Sequence, residues 1–358
     1  MFNPDFIRVS YPEPHIARTK KILAAHPELK TLFGNRPITA FYIVGIVALQ
    51  VALAFALSQS SIWVMLAVAY VVGAVCNHAL FVMIHECTHN LVLKGSVANK
   101  WMGIFSNLPI VFPAAIGFRK FHLIHHRHQG EMDLDADLAG PIEAKLVGNS
   151  TIRKGLWMLF FFVIEGIVRP ARLKKTVKLW DGWVLVNLLV EVAALAVLAY
   201  FAGWGALVYL SLSTVFSIGL HPLGARWIQE HYIFREGQET YSYYGPLNKT
   251  CFNVGYHNEH HDLMMVPWSN LPKVRAMAPE FYNNLMHHTS WTALFFKFLF
   301  DPKVSLFDRA VRPSRGVTSL AEESSKRAIA SQHVAQNIEG IPSFVTQELA
   351  SSVSPGIQ

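Results

Sequence analysis

The sequence predicts an all-α integral membrane protein: four transmembrane helices in two hairpins, with a cytoplasmic helical cap holding a histidine-rich metal site. Three observations carry this expectation. Four apolar runs approach or reach the roughly 20 residues needed to cross a bilayer. Lys and Arg avoid those runs and their tight turns. The histidines gather in groups on one expected side of the membrane. Composition agrees, since only 15 % of the 358 residues are charged and 52 % are hydrophobic, whereas a soluble domain carries about 25 % charged residues.

The first run is Ile38–Leu57, ITAFYIVGIVALQVALAFAL, and the second is Ile62–Ile84, IWVMLAVAYVVGAVCNHALFVMI. Only SQSS separates them, so they read as a hairpin. The third is Trp183–Ala202. After a Gly-Trp-Gly break comes a shorter fourth, about 204–220, apolar from Ala206 to Leu220. Of 31 Lys and Arg residues, 6 precede the first run, 13 lie between residues 85 and 180, and 12 follow residue 220. By the positive-inside rule both termini and the long central segment are cytoplasmic.

Around these spans we expect a cytoplasmic or interfacial N-terminal segment, 1–37, a membrane domain, 38–312, and a mobile Ser-rich tail, 313–358. Residues 11–36 mix basic and apolar positions as a surface-lying helix would. The run Trp157–Val168, WMLFFFVIEGIV, is too short to span and reads as interfacial or re-entrant. Residues 101–116 are expected to lie against the membrane too. The polar start, broken by Pro12, Pro14, Pro27 and Pro37, does not read as a signal peptide, and Met-Phe-Asn is no myristoylation signal.

Several function classes are disfavoured. Cys76, Cys87 and Cys251 form no CxxC, so neither a disulfide framework nor a thiolate zinc site is expected. The net charge of +7 is spread along the chain. Membrane phosphate is therefore a simpler partner than nucleic acid, and no nucleic-acid partner is expected.

The chemistry resides in the histidines, 17 in all. His85-Glu86-x-x-His89 follows the second span directly and has the spacing of zinc metalloproteases, with Glu86 as a possible general base. Next come His122-Leu-Ile-His125-His126 and His257-Asn-Glu-His260-His261, each with imidazoles at i, i+3 and i+4 on one helical face. Eight imidazoles exceed what one tetrahedral zinc uses. Imidazole suits iron equally, so two iron ions sharing the set is the more economical reading. A protease would leave both HxxHH groups without a purpose.

These boxes, in this placement, resemble the membrane fatty-acid desaturase and hydroxylase superfamily, and within it the sphingolipid Δ4-desaturases. The likeness runs from about Tyr11 to Trp291 and is carried by PHIARTKKILAAHPELK, NHALFVMIHECTHN, NLPI, FRKFHLIHHRH, GLHP, EHYIF, ETYSYYGPLN and NVGYHNEHHD. It implies iron ligands at His85, His89, His122, His125, His126, His257, His260 and His261, with a ninth at His231 in Glu-His-Tyr. It also implies an O2-dependent di-iron enzyme that introduces a Δ4 trans double bond into dihydroceramide. A C4-hydroxylase or another fatty-acyl desaturase is the near alternative, and an intramembrane zinc protease the remote one. Electrons would come from a separate cytochrome-b-type donor with its reductase, since no fused haem domain is visible. The expected location is the endoplasmic reticulum membrane in a eukaryote and the inner membrane in a bacterium, with the active site cytoplasmic.

Other polar residues have plainer expectations. Glu259 could orient an imidazole. Asp133, Asp135 and Asp137 could do the same or form a solvated acidic turn. His78, two helical turns deeper than His85, reads as a helix-contact or supporting residue rather than a ligand, and His221 as structural. Asn187 and Glu191 should face the bundle, where partners exist. Tyr241, Tyr243 and Tyr244 suit an aromatic belt at the interface.

Overall fold

A computed structural model describes residues 4–314, and the expected C-terminal tail, 313–358, lies outside them except for its first two residues. Among the described residues four helices are long and apolar enough to cross a membrane: Ile38–Leu57, Ile62–Thr88, Gly182–Ala202 and Trp204–His231. The second outruns its apolar stretch by four residues, because backbone hydrogen bonding does not stop where hydropathy falls. His85 therefore sits on the span itself. The fourth, expected to end by residue 220, is helical over Trp204–Ile218. It breaks at Gly219, makes a 3-10 turn at Pro222–Ala225 and resumes as Arg226–His231.

The spans differ in burial. The second is 61 % buried and the fourth 50 %, against 22 % for the first and 17 % for the third, so the second and fourth form the centre. They cross closely at a π-helical turn, Ala69–Gly73. A Cβ on Gly73 would come within 2.8 Å of the Ser213 Cβ, so only glycine permits this approach.

Buried polar side chains tie the spans together, as groups without water must. Gln50 on the first span donates to Asn77 on the second (2.5 Å) and accepts from the Tyr209 hydroxyl on the fourth (2.8 Å). Asn77 in turn donates to Thr214 (3.0 Å) and the Pro109 carbonyl (3.1 Å). His78 is a helix contact, with Nδ1 2.9 Å from the Ser217 carbonyl.

Between the second and third spans the chain makes a hairpin from Ser96–Ile110 and Ala115–His128, bent by 116°. Asn107 closes it by accepting from the Ala114 and Ala115 backbone N–H groups (2.8 and 2.7 Å) and donating to Glu191 (2.9 Å). Asn187 accepts from the Ile116 N–H (3.2 Å). Both polar residues of the third span thus face the bundle, as expected, and there they anchor the helix that carries the second histidine box. The 151–172 region packs Trp157 and Phe161 inward against Phe298 and Trp227, with Ile152, Leu156, Phe160 and Ile167 exposed. That outer apolar row suits an interfacial helix.

The N-terminal segment is more firmly held than a surface-lying helix. Its helix Pro14–Ala25 is capped by Glu13, and Ile22, Leu29 and Leu32 are buried in a cluster with Leu263, Val266, Leu271, Val274 and Tyr282. Farther out, Ile7–Arg8 pairs in parallel with Ala310–Val311, fastening the two ends of the described chain together.

Candidate metal centre

The end of the second span, the hairpin's second helix, the helix Arg226–His231 and the short helix His257–Asp262 converge on one buried volume. All nine candidate ligands meet there. Ligand nitrogens of His85, His89, His122, His126 and His260 lie within 4.8 Å of one another, as do those of His125, His231 and His261. His257 joins the second set, with Nε2 3.0 Å from His231 Nε2.

Each HxxHH box divides between the two sets. His122 and His126, at i and i+4, serve the first set, while His125 points into the second. In the third box His257 and His261 serve the second set and His260 the first. A helical turn presents i and i+4 together and i+3 slightly rotated, so one short helix can feed two neighbouring centres.

The Nε2 atoms approach closely: His85 to His260 at 2.9 Å, His89 to His122 and His122 to His126 at 3.0 Å, His126 to His260 at 3.1 Å, and His125 to His231 at 3.1 Å. A metal–imidazole bond of about 2.1 Å places neighbouring ligand nitrogens roughly 3 Å apart. Burial, and then the surrounding imidazoles, hold His89, His122, His126, His257, His260 and His261 well below the ordinary histidine range, which keeps them neutral. His231 Nδ1 faces the Glu239 carbonyl at 3.3 Å, so that nitrogen carries the proton and leaves Nε2 bare. Imidazole nitrogens that converge in this way can hold a cation between them, and the two sets would suit two ions.

Acidic groups stand behind several imidazoles. Asp135 Oδ1 lies 2.9 Å from His125 Nδ1 and also accepts from the Asp137 N–H, while Oδ2 accepts from the Gly130 N–H. Burial alone would lower His125, but Asp135, by charge and hydrogen bond, raises it to about 9. Glu230 lies 3.6 Å from His257 Nδ1. The three aspartates divide, for Asp137 pairs with Arg309 (2.6 Å) and Asp133 is exposed. Of these three aspartates, Asp135 alone meets a candidate ligand.

Two expectations are corrected here. Glu259 touches no imidazole; burial raises it to about 7, and its oxygens accept from Ser242 (2.7 Å) and Tyr244 (2.6 Å), which holds the loop before the third box. Tyr241 and Tyr243 are fully buried rather than in an interfacial belt, and Tyr243 stacks on Trp291 with ring centres 4.3 Å apart. Glu86 accepts from the Trp268 N–H (3.0 Å), tying the second span to the loop after the third box. His221 is structural, as expected, accepting from the Leu223 N–H at the start of a 3-10 turn.

Sequence reasoning passed over His15, Arg18 and Thr240. His15 joins Asp262 (2.7 Å) to Thr240 (2.8 Å), and Arg18 reaches both oxygens of Asp262. Their only signal was that His15 and Arg18 stand in PHIARTKK and Thr240 in ETYSYYGPLN.

Beside the first set lies a cavity of about 380 Å³ lined by Phe81, Phe112, Phe118, Phe162, Trp180 and Trp227 among others. Phe118 separates it from the histidines and stacks on His122, ring centres 4.8 Å apart and nearly parallel. An apolar chamber of this size suits a hydrocarbon segment.

Comparison with known proteins agrees with this arrangement. The fatty acid desaturase family model matches residues 61–292, and the sphingolipid Δ4-desaturase model matches residues 3–38, the segment that contributes His15. A sphingolipid delta(4)-desaturase DES1-like protein of Oryza sativa subsp. japonica is 44 % identical over 86 % of this chain and 93 % of its own. The sphingolipid delta(4)-desaturase DES1 of Drosophila melanogaster is 40 % identical, over 88 % and 98 %. A relative from Caenorhabditis elegans, named for both delta(4)-desaturase and C4-monooxygenase, is 37 % identical over 87 % and 85 %. The chain is thus a membrane protein of the fatty acid desaturase family and belongs to its sphingolipid Δ4-desaturase branch.

Proposed function

We propose that this protein is an O2-dependent, non-haem di-iron desaturase that places a Δ4 trans double bond in the sphingoid chain of dihydroceramide to give ceramide. The observation that carries the reading is the convergence of nine imidazoles in two adjacent sets beside an apolar cavity. The names of the relatives supply the substrate class.

The two irons, when bound, supply the oxidising power that no side chain has for an unactivated methylene. Overall, the lipid loses two hydrogens, and one O2 with two external electrons and two protons leaves as two waters. The chain's own residues hold and shield. His85, His89, His122, His126 and His260 would hold one ion, and His125, His231, His257 and His261 the other. Asp135 fixes the His125 ring with Nε2 inward, as supporting carboxylates do at metal sites. Phe118 and its aromatic neighbours exclude water and align one carbon pair against the site.

Oxygen rebound in place of the second hydrogen loss would give an alcohol. The doubly named nematode relative makes C4 hydroxylation the second reading. A separate cytochrome-b-type donor, with its reductase, would dock on the basic cytoplasmic face. The membrane would be that of the endoplasmic reticulum in a eukaryotic cell, or the inner membrane in a bacterium.

Elemental mass spectrometry of the detergent-purified protein tests the reading, on wild type and His260→Ala. About two irons per chain, reduced in the variant, together with ceramide formed from dihydroceramide, is the expected result. A single zinc untouched by His260→Ala would overturn it and favour the protease.

A further inference from the structure

The cavity is mostly apolar. Among its described lining residues Glu165 is the single ionisable one. Of the other polar groups on its wall, three are committed within the protein, while the Trp227 indole Nε1 has no hydrogen-bond partner among the described residues. Asn77 bonds Pro109 and Thr214, Thr214 donates to the Ile110 carbonyl (2.7 Å), and Ser217 donates to the Thr214 carbonyl (2.8 Å).

Glu165 is half committed. Its Oε2 accepts from Arg169 Nη1 at 2.8 Å, while Oε1 carries no hydrogen bond among the described residues. The side chain keeps 19 % of its surface accessible, and it is a cavity-lining residue. It stands in a π-helical turn, Ile164–Val168, a conformation that tends to mark functional positions.

Arg169 occupies only one of its oxygens. The same guanidinium donates to the Asp137 carbonyl (2.9 Å) and both oxygens of Glu143 (3.0 and 3.3 Å), and Arg309 is taken by Asp137 (2.6 Å). Glu143 and the Asp137 carbonyl thus share the Arg169 guanidinium with Glu165, so one Glu165 oxygen is left without a partner on the cavity side. An acceptor that opens onto an apolar chamber without a partner in the protein is available to a donor on whatever fills that chamber.

We propose that Glu165 is the polar anchor of the cavity: its free Oε1 accepts a hydrogen bond from a hydroxyl or amide N–H on the head of a neutral lipid, and its carboxylate turns away lipids with anionic heads. The anchor sets how deep the alkyl chain reaches, and hence which carbons lie behind Phe118 against the histidines. N-acylated sphingoid bases carry such donors, whereas free fatty acids and phosphorylated lipids bring a like charge. This rests on the lipid-desaturase reading and names what that site selects.

The test uses full-length protein in detergent, as wild type, Glu165→Gln and Glu165→Leu, with metal content measured for each. Binding and turnover are followed for dihydroceramide, its 3-deoxy counterpart and dihydroceramide 1-phosphate. The wild type should bind dihydroceramide at least about tenfold more tightly than the other two, the usual consequence of leaving a buried polar group unpaired or repelled. Glu165→Gln keeps an acceptor but no charge, so it should retain the preference over the deoxy lipid and gain affinity for the phosphate. Glu165→Leu should lose the preference for the hydroxyl at unchanged metal content. Wild-type preferences persisting in Glu165→Leu would overturn the anchor. If Glu165→Leu fails to fold, the Glu165→Gln comparison decides, and unchanged exclusion of the phosphate there overturns it. Discrimination in binding without any product would sink the desaturase reading and leave the anchor standing.

Discussion

His15 Nδ1 lies 2.7 Å from Asp262 Oδ1, although 247 residues separate them in the chain. The other ring nitrogen of His15 meets Thr240 Oγ1 at 2.8 Å, and Thr240 Oγ1 is 3.4 Å from His231 Nδ1. Asp262 directly follows His261, whose ring centre is 4.9 Å from that of His15. One N-terminal imidazole therefore braces two segments that each carry a candidate ligand of the second set.

His15→Ala should loosen that set while sparing the first. Leaving buried Asp262 and Thr240 short of a partner costs about 1–3 kcal/mol, and loss of such outer support commonly weakens metal binding by about 10–100-fold. Metal content per chain and thermal unfolding check this together. Two irons retained at wild-type affinity would mean that the N-terminal helix only packs.

This brace shows what was legible in the sequence and what was not. The four spans are long single-sign signals, and the HxxHH spacings act within one helix turn, so both could be read locally. The contacts of His15, the burial of Tyr241 and Tyr243, and the stacking of Phe118 on His122 join segments far apart in the chain. Their flanking stretches, such as 240–256, have no periodicity to betray a buried face. The helix of the second span runs past its apolar stretch for a different reason. Hydropathy marks the apolar stretch, whereas the helix continues through polar His85 and Glu86 because they are buried among partners.

A pH effect belongs to the same N-terminal segment. His26 Nε2 lies 2.6 Å from Glu280 and Nδ1 3.0 Å from Glu28, at the protein surface. The Glu280 hydrogen bond, then that of Glu28, raise His26 above its ordinary value, which is about 6.5. A raised histidine contributes stability fully present below its unfolded value and lost as pH rises through the folded one. Docking of residues 14–32 should thus weaken modestly from mildly acid to mildly alkaline solution. Protease cleavage of this segment, compared with His26→Gln at each pH, measures it, and an identical pH profile in the variant would remove His26 from the account.

Glu86→Gln separates the two metal chemistries. Glu86 Oε2 accepts from the Trp268 N–H, and an amide oxygen can take over that bond. Lipid oxidation should stay within about threefold of wild type, since a preserved neutral acceptor usually costs little. A protease using Glu86 as its base would be abolished. Collapse of lipid oxidation at full metal content would show that the Glu86 charge itself takes part.

The last prediction concerns the size of the chamber. A Cβ on Gly166 would come 2.6 Å from Phe112 Cε1, and both residues line the cavity. Gly166→Ala must therefore displace the Phe112 ring. Two rearrangements are available to that ring, and they have opposite consequences. If it turns into the cavity, the chamber shortens, and the chain-length profile of products should move toward shorter sphingoid chains. A pocket change of this size is worth about 1–3 kcal/mol, or roughly 10–200-fold between substrates. If it turns outward, the chamber keeps its length and the loss is one of packing, seen as a lower melting temperature with an unchanged product profile. The inward path is expected because Phe112 already lines the open chamber, and the backbone cannot yield instead: Val111 is left-handed at φ 65°, and Asn107 accepts from the Ala114 and Ala115 N–H groups. With the hairpin turn held on both sides, the ring rather than the backbone has to move. A product profile measured on a mixture of sphinganine-based lipids of graded length decides between the two.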